Sequence, residues 1–249
     1  SIPYGRGGIA SMAISSLDLA LWDAFSKYYE IPIKVLLEEN KTLHNKFIDT
    51  YATGNNVGVY NQIGLENYKL SVNSNGDFEN EKKELYETIY RIKKNYNNVK
   101  KIMIDCYMSW DIEYTKKMSN FLSDLNIYWI EDISSPETLL NTDSILDDLN
   151  GVFLAGGEHD LNHNNFIIMK KNKTYNFWQP DITWCGGISS LLKIIAISNN
   201  EYPIILHRGG EPWGLPIIQS GLINNLAEIH NPKDKKISME KWENKTIKN

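Results

Sequence analysis

Apolar, strand-like runs that each end in an acid or an imidazole recur along this chain at a nearly constant interval. The runs read KKIMIDC, IYWIED, VFLAGGE, FWQPD and PIILH. They finish on or near Asp105, Glu131, Glu158, Asp181 and His207, at steps of 26, 27, 23 and 26 residues, and Glu228 in NNLAEI follows 21 residues later. One strand, one helix and two loops take about that length, because successive parallel strands need a crossover, usually helical, to return the chain. KIMIDC and PIILH are apolar almost throughout, as strands covered on both faces are. In a closed parallel barrel the C-terminal strand ends converge on one face, and that face carries the chemistry.

Periodicity supplies the other elements. Ile14, Leu17, Leu21 and Phe25 recur at helical spacing over 10–27, with Trp22 beside them, and predict a broad apolar helix face. Strands are predicted at 49–54 and 67–72, with a stunted or absent helix in the short, Gly-broken stretch between them. Regular alternation follows: helix 79–97, strand 101–106, helix 111–124, strand 127–132, helix 136–149, strand 152–158, helix 162–171, strand 177–181, helix 187–199 and strand 203–207. In the last of these helices Ile188, Leu191, Leu192, Ile195 and Ala196 mark the face expected to lie on the sheet. The pattern predicts an α/β fold, a TIM-type (β/α)7β barrel of parallel strands, forming one domain over 1–249. Residues 1–9 read as an entry loop and 232–249 as a weakly ordered tail. Ser1 and the loop-like SIPYGRGG suggest a chain entered partway. An open doubly wound sheet is the alternative, but no strand is followed by a Gly-rich dinucleotide fingerprint.

Composition narrows the function classes. With 249 residues, 42% hydrophobic and 23% charged, the chain has the material for a large core. A net charge of −5 provides no basic stripe for nucleic acid or an anionic membrane. An anionic substrate stays open, since a bound cation can reverse the local field. Cys106 and Cys185 are too few for a disulfide framework or a thiolate metal cluster, which points to a reducing, cytoplasmic setting. No run reaches the roughly 18 apolar residues of a membrane span.

Asp105, Glu131 and Glu158 close three consecutive strands. Three carboxylates aimed at one volume repel each other unless a cation lies between them, and a hard divalent ion with oxygen ligands, Mg²⁺ first, resolves that conflict. Taken singly, each acid reads rather as a helix N-cap or a partner for a barrel lysine. Asp181 and His207 end adjacent strands, and a carboxylate beside an imidazole makes a proton acceptor competent near neutral pH. His207 alone would read as a satisfied strand-end histidine. Lys69, at the end of the second strand, is a candidate for holding a substrate carboxylate or phosphate, against a surface lysine. Glu228 is a candidate hydrogen-bond donor to developing negative charge if its site keeps it protonated, against a solvated acid. A metal, a base and a cationic anchor together suggest removal of a proton alpha to a carboxylate.

The segments SSLDLALWDAFSKYYEIPIKVLL, FIDTYATGN, IDCYMSWDIEYTKKM, YWIED, GGEHD, QPDITWCGGIS and ILHRGG, spanning 10 to about 210, resemble the barrel domain of the enolase superfamily in its mandelate racemase branch. The likeness is strongest to L-rhamnonate dehydratase-like acid-sugar dehydratases. It implies a carbon–oxygen hydro-lyase in which Asp105, Glu131 and Glu158 bind Mg²⁺ and Asp181–His207 is the general base. The conjugate acid of that base would then expel the β-hydroxyl to give a 2-keto-3-deoxy acid. It further implies Lys69 and Glu228 as catalytic groups and Lys69 and His159 beside the substrate, with a homo-oligomer as the full-length form. Ser71 stands where racemases carry the second lysine of a Lys-x-Lys pair, which argues against racemisation. Two departures stand out: no segment matches the family's N-terminal α+β capping domain, and His207-Arg208-Gly209-Gly210 replaces the usual His-Gly-Ser-Ser. Another aldonate such as galactonate as substrate, or a truncated non-catalytic barrel, remain open readings.

Overall fold

Seven parallel strands curl into the wall of a barrel in the computed structural model of the chain, which describes residues 7–38 and 47–230. They are β1 Asp49–Thr53, β2 Asn67–Ser71, β3 Lys101–Asp105, β4 Trp129–Glu131, β5 Phe153–Gly156, β6 Phe177–Trp178 and β7 Leu226–His230. Hydrogen bonding runs in the order β6-β5-β4-β3-β2-β1-β7, so the last strand pairs with the first, with Tyr51 opposite Glu228 and Thr53 opposite His230.

Between β6 and β7 lies the predicted strand 203–207, which is reduced to one bridge between Trp178 and Ile204. Its backbone still bonds to β6, through Trp178 N–H to the Pro203 carbonyl at 3.0 Å and Ile205 N–H to the Trp178 carbonyl at 2.9 Å. Pro203 has no N–H to extend a ladder. On the other side the Asn224 side chain, not a backbone carbonyl, accepts from Ile204 N–H at 3.0 Å. Asn224 N–H returns a bond to the Ile204 carbonyl at 3.1 Å, which links this segment to the approach of β7.

The helices are α1 Ile9–Tyr29, α2 Ile33–Leu37, α3 Val57–Gln62, α4 Phe78–Asn95, α5 Ile112–Asp124, α6 Pro136–Leu140, α7 His163–Asn172, α8 Gly187–Ser198 and α9 Leu215–Gln219. Helix α3 is stunted, as its glycines predict. The single helix expected over 136–149 breaks after Leu140 and resumes only as a 3-10 turn at Leu146–Asp148. There Asn141 and Thr142 turn their side chains onto the carbonyls of Glu137 and Thr138, at 2.7 Å each, in competition with helix propagation. Aspartates cap α4 and α5: Asp77 accepts from Asn80 N–H and Asp111 from Tyr114 N–H. The short α9 was not foreseen from the sequence.

Alternation along the strands makes two cores. Ala52, Ile102, Ile104, Ile130, Leu154, Trp178 and Ala227 face the helices, while Tyr51, Met103, Trp129, Ala155, Phe177, Ile205 and Leu226 fill the barrel interior.

Helix α1 overturns the expected orientation. Leu17 and Leu21 are 68% and 70% exposed, Ile14 and Phe25 are exposed as well, and the buried side carries Ser11, Ser15 and Leu19. The reason lies at the start of α8, whose first amides have no capping side chain of their own. Gly186 N–H donates to Ser15 Oγ at 2.8 Å and Ser189 N–H to Asp18 Oδ2 at 3.1 Å, while the Trp22 indole N–H donates to Ser189 Oγ at 3.1 Å. Gly187, at φ 77°, admits this approach: a Cβ there would stand 2.2 Å from Asp18 Oδ2. On α8 itself Ile188, Leu191 and Ile194 are buried, whereas Ala196, expected on that face, is exposed. The tail expected at 232–249 and the first six residues of the entry loop lie outside the described residues. Among the described residues no helix is long and apolar enough to cross a membrane.

Candidate active site

Because strand side chains alternate with period two, the inner face that carries the apolar layer carries a polar layer further along. Tyr51 is followed by Thr53, Met103 by Asp105 and Trp129 by Glu131. Phe177 is followed by Gln179 and Asp181, Ile205 by His207, and Leu226 by Glu228 and then His230. The spacing of the predicted residues thus becomes a shared level at the C-terminal mouth of the barrel.

Lys69 sits at the centre of the acids. It is the third residue of β2 rather than its end, is 1% exposed, and its ammonium pairs with Glu131, with Glu228 at 2.7 Å and with Asp105 at 3.8 Å. In this arrangement its charge is engaged by carboxylates of the protein. The Glu131 carboxylate also accepts from Gln179 Nε2 at 2.7 Å and Trp129 Nε1 at 3.0 Å. Burial, with Asp105 and Glu228 adding to it against Lys69, pushes the Glu131 carboxyl up to about 7.

Glu228 behaves in the opposite sense. Burial pushes its carboxyl up, but Lys69, the His230 hydrogen bond and His207 outweigh it and hold the group well below the usual carboxylate range. Its oxygens accept from Thr53 Oγ1 and from Arg208 N–H at 2.7 Å, and His230 Nε2 lies 3.2 Å away. Its neighbours are donors, and they favour the anion over the protonated form in which it would itself donate.

His207 Nδ1 lies 2.8 Å from Asp181 Oδ2, and its Nε2 lies 3.2 Å from Glu158 Oε2. Thr183 fixes the other Asp181 oxygen through its N–H and its hydroxyl, each at 2.6 Å. Burial opposes ionisation of Asp181, but the bonds from His207 and Thr183 prevail and lower its carboxyl. Burial pushes Glu158 up to about 8, with His207 and Lys69 pulling it down and Glu131 and Glu228 pushing it up. His159 Nε2 stands 3.3 Å from Glu158 and 3.4 Å from Asp132, its ring between those of Tyr107 and Trp184 at 6.0 Å each. Burial and the charge of His207 lower the His159 imidazole.

Among the described residues, two groups of three ligand-type side chains bring donor atoms within 4.8 Å of one another: Asp132–Glu158–His159 and His207–Glu228–His230. Asp105, Glu131 and Glu158 do not form such a group, since Lys69 contacts the first two and Glu158 rests against the two histidines. Their chemistry nevertheless fits a hard divalent cation. All three offer carboxylate oxygens at one barrel mouth, and burial raises two of them in a way that a cation would relieve. Sequence reasoning assigned no role to Gln179, Thr53, Asp132 or His230. Glu-x-His on one strand places both side chains on one face, and that signal could have found His230.

A parallel barrel with acids and a carboxylate-backed histidine at its C-terminal mouth places the chain among α/β barrel proteins with a polar site at that mouth. The profile of the enolase C-terminal domain-like family matches residues 57–220, and the chain belongs to that family. It is 27% identical over 214 residues to the L-rhamnonate dehydratase of Saccharopolyspora erythraea, covering 84% of this chain and 54% of that protein. The crystal structure of L-rhamnonate dehydratase from Gibberella zeae superposes with a TM-score of 0.81 at 27% identity, covering 92% of this chain and 58% of that one. A magnesium complex of rhamnonate dehydratase from the same organism gives 0.81 at 26% identity, covering 92% of this chain and 56% of that one. The chain thus spans somewhat more than half the length of the relatives it matches.

Proposed function

We propose that the chain forms the catalytic barrel of a divalent-metal-dependent hydro-lyase that dehydrates an acid sugar of the L-rhamnonate type to its 2-keto-3-deoxy acid. The observation that carries this reading is the Asp181–His207 pair at 2.8 Å, set 3.2 Å from Glu158. A carboxylate on Nδ1 favours the tautomer that leaves Nε2 as the proton acceptor, and it stabilises the imidazolium that results. His207 Nε2 takes the α-proton of the sugar acid. The β-hydroxyl then departs with the electron pair of its C–O bond and takes up a proton from an imidazolium, leaving as water.

Asp105, Glu131 and Glu158 are the residues that would hold Mg²⁺. When bound, the ion supplies countercharge for the negative charge that develops on the substrate carboxylate as the α-proton leaves. Lys69 adds positive charge at the same place, and we assign it, with His159 on the rim, to binding the substrate carboxylate and its neighbourhood. Glu228 acts as an anion that orders Lys69, Thr53 and the Arg208 amide. Ser71 in place of a second lysine leaves the opposite side without a base, which favours elimination over racemisation. The names of the relatives support an acid sugar, with L-rhamnonate first and another aldonate such as galactonate second.

Incubation with L-rhamnonate and D-galactonate, with and without Mg²⁺, and assay for 2-keto-3-deoxy acid tests the reading. Mg²⁺-dependent product that disappears in His207→Asn is expected. Mg²⁺ binding without turnover of any acid sugar would favour a non-catalytic barrel.

A further inference from the structure

Glu228 and His230 stand two residues apart on β7, on the same inner face and at the same mouth as the Asp181–His207 pair. His230 Nε2 lies 3.2 Å from Glu228 Oε1, and its ring centre lies 5.7 Å from that of His207, with the planes at 87°. Each imidazole therefore has its own carboxylate: Asp181 is fixed by Thr183, and Glu228 by Thr53, Lys69 and the Arg208 amide. Solvent access separates the two rings, since the His207 side chain is 9% exposed and that of His230 is 40% exposed. The more open imidazole is recharged from water more readily than the shielded one.

Resting on the dehydratase reading above, we propose that His230, oriented by Glu228, is the proton donor to the departing β-hydroxyl. This divides between two rings the tasks that the family resemblance gives to His207 alone. His207 Nε2 takes the α-hydrogen as a proton, and its C–H electron pair forms the C2–C3 double bond. The C3–O bond breaks with its pair on oxygen, and a proton from His230 joins it, so that water leaves. The enol ketonises when the proton on His207 passes to C3 and the enol hydroxyl proton passes to His230, which restores both imidazoles.

Three reactions of the full chain with Mg²⁺ test the assignment: exchange of the C2 hydrogen of L-rhamnonate in D₂O, dehydration of L-rhamnonate, and fluoride release from its 3-deoxy-3-fluoro analogue. The last needs no proton on its leaving group. In His230→Asn, dehydration should fall by about 10²–10⁴-fold, the usual contribution of general acid catalysis. C2 exchange and fluoride release should stay at wild-type rates, which also shows that the variant is folded. His207→Asn should lose all three. Wild-type dehydration in His230→Asn, or an equal fall of all three reactions, would overturn the assignment while leaving the dehydratase reading in place. A wild-type chain that neither exchanges nor dehydrates L-rhamnonate or D-galactonate would sink both.

Discussion

Replacing Lys69 with methionine should destabilise the fold by about 3–5 kcal/mol at neutral to alkaline pH, because removing one member of a buried ion cluster leaves its partners uncompensated. The ammonium pairs with Glu131, with Glu228 at 2.7 Å and with Asp105 at 3.8 Å. Lys69, Glu131 and Glu228 are each 1% exposed, so solvent and salt screen little of the effect. Methionine keeps much of the stem volume, which limits the packing contribution. For a chain of this size, that loss lowers Tm by roughly 6–20 °C.

Glu131 and Glu228, the two carboxyls nearest the ammonium, are the main contributors to the pH dependence. Glu131 is raised to about 7 in the fold, so its contribution is fully present below the unfolded carboxylate pKa and is lost as pH rises through 7. Glu228 is held well below its usual range against burial, Lys69 being the first opposing charge, so its contribution is present above that range and is lost as pH falls. Without Lys69 the Glu228 contribution vanishes and both acids favour the protonated form. The deficit relative to wild type is then largest above about pH 7 and shrinks toward about pH 5. Thermal unfolding followed by circular dichroism, on both proteins across that range, reads it directly. A variant as stable as wild type at the alkaline end, or a deficit that grows on acidification, would refute the reasoning.

Two further predictions concern α1. Asp18→Ala should cost about 1–2 kcal/mol in urea unfolding, since it removes the cap that α8 borrows from another helix, while Asp18→Asn should retain most of that stability. Identical losses in the two variants would remove the capping account. Leu17→Gln and Leu21→Gln should each change stability by no more than about 0.5 kcal/mol, because both side chains are exposed. Losses of the size seen for core truncations would mean that this face is buried.

The shared placement of these residues at one barrel mouth was legible because period and spacing are local properties of a sequence. A largely apolar parallel strand that closes on an acid announces both its direction and its mouth, and Asp105, Glu131 and Glu228 fall on strands at that mouth, with Glu158, Asp181 and His207 just past strand positions. What escaped depends on contacts between distant residues. The apolar stripe of α1 faces outward because Ser15 and Asp18 are needed at α8, a requirement visible only once α8 is placed beside α1. The ionisation of Glu228 follows its contact with Lys69 across the sheet, which no local pattern displays. Pro203 did carry a local warning that its strand would be curtailed, and His230 was passed over although it shares a strand face with Glu228.

Calorimetric titration with Mg²⁺ tests the central claim most directly. The account predicts one ion bound per chain, with binding lost in Asp105→Asn, Glu131→Gln and Glu158→Gln and retained in His230→Asn. Binding that survives all three carboxylate substitutions, or a wild-type chain that takes up no Mg²⁺, would contradict it.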